Sequence, residues 1–114
     1  MTKKAYFVGI DCGTTVVKSV LFDLEGTEVA TAAQEVPVTH PCPGWADQCM
    51  NKVWEAAKNT IRGIINRAGV SGEDIKGVSL SGQGAGVWLI GKDGKPVRDA
   101  INWLDGRAME IIEE

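Results

Sequence analysis

Two apolar runs, residues 5–10 and 16–24, stand near the start of the chain with DCGTT between them. The first is short and nearly continuous, and the second is rich in β-branched residues, so both predict strands, the first buried on both faces. The turn residues Asp23-Leu24-Glu25-Gly26 reverse the chain into residues 28–36, whose mixed polar and small character predicts a third, less buried strand. Residues 37–44 hold three prolines and a glycine and predict an irregular surface connection, with a helix starting near Asp47. Met50, Val53, Trp54, Ala57, Ile61, Ile64, Ile65 and Ala68 then follow the three-four spacing of one helix face. All of them, Trp54 included, are expected to face the core. The helix should stop at Arg67 or Ala68, with Gly69 in the left-handed conformation, and Ser71 with Asp74 should cap a short turn.

Beyond that turn the pattern predicts a strand over 75–81, a glycine-rich loop SGQGAG over 81–86 and a strand over 87–90. A turn at Lys92-Asp93-Gly94-Lys95 then leads into a returning segment, 96–103, and a helix begins over 105–114. The order is βββαβ, a hairpin and a helical start. The first three strands are joined by turns too short for crossovers, so the fold class is α/β with a mixed sheet. In such sheets polar loops at strand ends share a crevice, which directs attention to the loops at 11–15 and 81–86.

Composition narrows the function. A 114-residue chain that is 44% hydrophobic has a modest core and at most one domain. A net charge of -3 without like-charge blocks gives no footprint for nucleic acid or an acidic membrane, which favours a small-molecule partner. The start MTKKAYFVGID lacks the apolar length of a signal peptide and no stretch could span a bilayer, so a soluble, cytoplasmic protein is expected. Cys12, Cys42 and Cys49 form no C-x-x-C pair and suit a reducing compartment; with His40 they lack the close ligand pair that anchors zinc.

The stretch GIDCGTTVVKS, residues 9–19, carries the candidate chemistry. Gly13 permits a tight turn whose N–H groups converge on an anion, Thr14 and Thr15 add hydroxyl donors, and Lys18 brings a positive charge. Asp11 would repel a bare phosphate but suits one carrying Mg²⁺, which takes one or two carboxylates together with phosphate oxygens and water. These residues fit a plain hairpin equally well. They are not a Walker A loop, which requires G-x-x-x-x-G-K-[ST] opening a helix.

GIDCGTTVVKSVLFD, PGWADQ (43–48), GVSLSGQGAG (77–86) and DGKPVRDAINWLDGR (93–107) together resemble the FGGY carbohydrate kinases, within the actin-like ATPase superfamily, and do so in the same order over almost the entire chain. The phosphate motif is shared with actins and Hsp70-type chaperones; PGWADQ, SGQ-x-x-G and W-x-D-x-R are the more specific part. The resemblance implies a ribonuclease H-like layer beginning βββαβ, with residues 1–114 as the N-terminal part of the first, sugar-binding domain. It implies ATP and Mg²⁺ as cofactors and a sugar or polyol as substrate. Asp11, Gly13, Thr14, Thr15 and Lys18 would face the β/γ-phosphates and metal, with Asp11 toward the metal. Gln83, Gly84 and Ala85 would touch sugar hydroxyls, and Trp103, Asp105 and Arg107 would lie beside that pocket.

Bland readings stand beside these assignments. Trp103 could fill core, Asp105 could cap the terminal helix, which is the favoured reading, and Arg107 could pair with Asp105 or Glu110 on the surface. Gly84-Ala85 stands where xylulose-type members often have Met-His and glycerol-type members Arg-Glu, a pattern closer to the L-xylulose or polyol branches. Members of the family are several times longer, and their catalytic aspartate base and adenosine lobe have no counterpart here, so no catalytic residue is expected in this chain. Apolar surface left uncovered would favour homo-oligomers. The rival reading is an actin- or Hsp70-like nucleotide module, which has no need of SGQGAG or W-x-D-x-R.

Overall fold

The computed structural model describes residues 4–113. Strands β1 (Tyr6–Cys12), β2 (Val16–Asp23) and β3 (Glu28–Glu35) form an antiparallel meander. Asp23 holds the second turn by accepting the N–H groups of Glu25 and Thr27 on Oδ1, both at 2.9 Å, while Gly26 supplies the positive φ of 81°. Short strands β4 (Val38–Thr39) and β5 (Asp47–Gln48) precede helix α1 (Met50–Ala68). Gly69 ends α1 in the left-handed conformation at φ 63°, and Ser71 with Asp74 forms a capping box on a single 3₁₀ turn, Gly72–Asp74. Strand β6 (Ile75–Gly82) follows, then β7 (Ala100–Ile101) and the short helix α2 (Met109–Ile112). The expected helix over 105–114 is thus reduced to four residues, and Glu114 lies outside the described residues.

The main sheet has the order β3-β2-β1-β6, with β6 parallel to β1 and the other pairings antiparallel. The mixed sheet is therefore as expected, and α1 is its crossover. One face of β1 and β2 packs under α1: Val8, Ile10, Val17 and Leu21 meet Ala56 and Ile64, and each of these six side chains is at most 9% exposed. Alanines of β3 let the helix come close; a Cβ at Gly63 would lie 3.3 Å from that of Ala32. A buried hydroxyl pair crosses this interface, Ser19 Oγ to Thr60 Oγ1 at 2.8 Å. Thr60 gives its own proton to the carbonyls of Ala56 and Ala57, so Ser19 is the donor and both hydroxyls are satisfied.

Four expectations need correction. The segment over 37–44 is not wholly irregular, because Val38–Thr39 pairs with Asp47–Gln48, which pairs in turn with Ala100–Ile101 in a small second sheet. Since Asp47 belongs to that sheet, α1 starts three residues later than expected, at Met50. The expected strand over 87–90 makes only isolated bridges, Val87 to Ile101 and Ile90 to Pro96, around the predicted turn at Gly94. Trp54 is 65% exposed rather than core. The apolar stripe of α1 is wider than the sheet beneath it, and Trp54 lies on its flank, in a recess with Trp88 and Pro96.

Candidate functional site

Parallel pairing of β1 with β6 brings two strand ends together, Cys12 opposite Gly82, and both chains leave the sheet there as polar loops. The first turns tightly, with Gly13 N–H donating to the Val16 carbonyl at 3.0 Å. A Cβ at Gly13 would sit 2.8 Å from that carbonyl oxygen, so this turn excludes any larger residue. The second loop is tied to the first strand by Gln83 N–H donating to the Cys12 carbonyl at 3.2 Å. Ala85 adopts φ 57°, a left-handed conformation that costs a residue with a Cβ about 1 kcal/mol or more.

Between the loops lies an open cleft of about 540 Å³ lined by Asp11, Gly13, Thr14, Gly82, Gln83, Gly84, Ala85 and Trp103. Seven of the eleven residues singled out from sequence, Asp11 among them, therefore line one space. Thr15 is exposed and lines a neighbouring recess with Val36 and Pro37. Lys18 is paired across the strands with Asp11 and lines a second recess, which Asp11 also reaches, on the sheet face opposite α1. Trp103 is half exposed and does not fill core; its Nε1 donates to Thr14 Oγ1 at 2.9 Å.

Asp105 and Arg107 do not line the cleft. Asp105 is not the cap of α2, whose N-cap position is Ala108. Its carboxylate instead accepts the Ala46 N–H at 2.6 Å and the Arg107 Nε at 2.8 and 2.9 Å. Arg107 also bonds Asp47 and lies 4.0 Å over the Trp45 ring, and Arg98 reaches Asp47 at 3.1 Å. The Asp105–Arg107 pair is covered rather than superficial, with side chains 3% and 16% exposed. The Arg107 hydrogen bond holds the Asp105 carboxyl well below the usual carboxylate range, against the opposing effect of burial. The cluster fastens W-x-D-x-R onto PGWADQ.

Gln48 and Asn102, to which sequence reasoning gave no role, are the polar centre of the site. They are 0% and 2% exposed. Gln48 Nε2 donates to the Thr14 carbonyl at 2.8 Å, and Gln48 Oε1 accepts Gln83 Nε2 at 2.8 Å and Asn102 Nδ2 at 3.1 Å. Asn102 Nδ2 also donates to Gln83 Oε1 at 2.9 Å, and Asn102 Oδ1 accepts the Leu104 N–H at 2.9 Å. The signal available in the sequence was the amide at the end of PGWADQ and the one just before W-x-D-x-R.

Cys12, at the end of β1, has its thiol pKa raised by burial and secondarily by the Asp11 charge, which makes it a poor nucleophile. Cys42 and Cys49 are likewise free thiols. Among the described residues no three His, Cys, Asp or Glu side chains converge on a metal site, and no helix is long and apolar enough to cross a membrane.

Residues 6–114 match the profile of the FGGY family of carbohydrate kinases, N-terminal domain. The chain is 40% identical over 107 residues to the L-xylulose/3-keto-L-gulonate kinase of Escherichia coli (strain K12), covering 94% of this chain and 22% of that protein. It is 33% identical over 105 residues to the erythritol kinase of Brucella abortus (strain 2308), covering 92% of this chain and 20% of that one. A ligand-bound xylulose kinase from Lactobacillus acidophilus superimposes with a TM-score of 0.87 at 28% identity, over 96% of this chain and 22% of its own. Fold and cleft thus define part of an actin-like ATPase fold of the sugar-kinase type. The chain belongs to the FGGY family of carbohydrate kinases, whose members are phosphotransferases. It spans about a fifth of the length of the curated relatives it matches.

Proposed function

We propose that the complete protein carrying these residues transfers the γ-phosphoryl group of ATP to a hydroxyl of a ketose or polyol, with this chain as the N-terminal part of its sugar-binding domain. The observation that carries the reading is the meeting, across one cleft, of the Asp11–Gly13–Thr14 turn and the Gln83–Gly84–Ala85 loop. The first offers the Thr14 hydroxyl to phosphate oxygens. The second, with Trp103, offers amide groups and an aromatic edge to a hydroxylated acceptor. Among the described residues only one carboxylate, Asp11, lines the cleft, and no cation does, which suits a neutral acceptor better than a sugar acid.

A single hard oxygen donor beside a phosphate-type turn fits a Mg²⁺ that arrives with the nucleotide, and Asp11 is the residue that would hold it. When bound, the metal supplies neutralisation of the phosphate charge. Lys18, paired with Asp11 across the strands, places a positive charge behind that turn, and Thr15 flanks it in the neighbouring recess. Asp105 and Arg107 act on the pocket indirectly, by fixing the segment that carries Trp103. The acceptor hydroxyl gives its proton to a carboxylate base outside this chain, and catalysis is positioning with electrostatic stabilisation. In place of the Met-His or Arg-Glu of other branches, Gly84 and Ala85 leave room over the acceptor, which favours L-xylulose-like ketoses or polyols. ADP release by the complete protein with Mg²⁺-ATP, over a panel of ketoses and polyols, tests the reading. Acceptor-dependent turnover is expected, and nucleotide binding with no acceptor-dependent turnover would move the protein to the actin- or Hsp70-like class.

A further inference from the structure

We infer that Gln48 and Asn102 are positioning residues, which set the orientation of the Gln83 carboxamide toward the acceptor and tie it to the phosphate turn. The inference rests on the proposed reading of Gln83 as part of the acceptor side.

A carboxamide has an oxygen that only accepts and a nitrogen that only donates, and its two ends are otherwise nearly alike in shape. Two backbone groups remove the ambiguity here. The Thr14 carbonyl can only accept, so Gln48 must turn Nε2 toward it and Oε1 inward. The Leu104 N–H can only donate, so Asn102 must turn Oδ1 toward it and Nδ2 inward. Gln83 then meets an acceptor on Gln48 and a donor on Asn102, and one orientation alone satisfies both, Nε2 to Gln48 and Oε1 to Asn102. Burial makes the reverse orientation costly, since it would set like atoms against each other away from water.

The Gln48 clamp uses one N–H of Gln83 and the Asn102 clamp one lone pair. One N–H and one lone pair remain, on the only member of the three amides that is partly exposed and lines the cleft. An adjacent donor and acceptor match a hydroxyl group, which also both donates and accepts. The same network reaches the Thr14 carbonyl, so the acceptor loop and the phosphate turn are held in one register by a buried residue that touches neither ligand.

Asn102→Asp tests this with almost no change of shape, because it replaces the inward donor by an acceptor. Gln48→Met removes both functions of the other clamp. In the complete protein, with the best acceptor of the panel, both variants should raise the acceptor KM by roughly 10- to 100-fold, the range expected for one or two displaced hydrogen bonds. The ATP KM should stay within about 3-fold in Asn102→Asp. A merely structural role would lower the active fraction and the melting temperature while leaving the acceptor KM of the active molecules unchanged, and that result in both variants would overturn the inference. The amide network is read separately in complete protein labelled with ¹⁵N at the side-chain amides. The Gln48 and Asn102 NH₂ groups and the Gln83 N–H bonded to Gln48 should exchange slowly, with Gln83 losing that protection in Asn102→Asp. Fast exchange of these bonded amide protons in the unsubstituted protein would overturn the inference whatever the turnover. Slow exchange without acceptor-dependent turnover would uphold the network and refute the kinase reading instead.

Discussion

Trp103 Nε1 donates to Thr14 Oγ1 at 2.9 Å, joining the turn after β1 to a residue 89 positions away. The hydroxyl thereby accepts from the indole and keeps its own proton for the cleft. Trp103→Phe retains the ring and removes the donor, leaving Thr14 free to rotate. We expect the ATP KM of the complete protein to rise roughly 2- to 10-fold, the equivalent of one ordinary hydrogen bond, with little change in melting temperature. An unchanged ATP KM would show that Thr14 does not address the nucleotide.

Burial separates two large residues of α1. Ile64 is 0% exposed, and Ile64→Ala should cost about 2–5 kcal/mol in urea unfolding. Trp54→Ala should stay within about 0.5 kcal/mol of the unsubstituted protein, as for other surface positions. A loss of several kcal/mol at Trp54 would mean that its flank of the helix is covered in solution.

Two glycines of one loop should respond in opposite ways. A Cβ at Gly86 would lie 2.7 Å from Trp88 Nε1 and 2.8 Å from the Ile101 carbonyl oxygen, so Gly86→Ala should destabilise by roughly 1–3 kcal/mol. Nothing lies within 4 Å of a Cβ at Gly84, and Gly84→Ala should leave the melting temperature almost unchanged while altering the ranking of acceptors. Equal melts for the two variants would contradict the loop geometry, and an unchanged ranking in Gly84→Ala would separate the loop from the acceptor.

The Asp105 carboxylate carries a pH dependence whose sign follows from its lowered pKa. Its contribution to stability is complete above the unfolded carboxylate value, near pH ~4, and is lost as the pH falls from there toward the depressed folded value. Asp105→Asn should lower the melting temperature at neutral pH and flatten its decline below pH ~4. Parallel curves of melting temperature against pH for the two proteins would show that the Asp105–Arg107 contact contributes nothing to folding.

Legibility of the fold followed locality. Strands β1 to β3, helix α1, the Gly69 stop and the Ser71–Asp74 box all declare themselves within a few residues, through periodicity or capping chemistry. Strands β4, β5 and β7 have two residues each, too few to show an alternation, and exist through pairings such as Gln48 with Ala100. Periodicity also assigned Trp54 inward by its apolarity and passed over Thr60, which is 2% exposed because Ser19 satisfies it. The same divide runs through the site. The turn over 11–15 and the glycine loop are each contiguous in sequence and recognisable, whereas the Gln48–Gln83–Asn102 network is assembled from three distant segments. Asp105 looked like a helix cap because a carboxylate ahead of a helix commonly is one; a partner 59 residues away at Ala46 claimed it instead.

The proposed function divides the cleft, lined by Asp11, Gly13, Thr14, Gln83, Gly84 and Ala85, into a phosphate side at the first three residues and an acceptor side at the last three. Asp11→Asn in the complete protein tests that division most directly, with turnover followed across a Mg²⁺ series and acceptor affinity measured by calorimetry. The predicted result is a fall in turnover of roughly 100-fold or more, as for loss of a charge stabilising phosphoryl transfer, with a shifted Mg²⁺ dependence and acceptor affinity within about 3-fold. Equal losses of turnover and acceptor affinity, at an unchanged Mg²⁺ dependence, would contradict it.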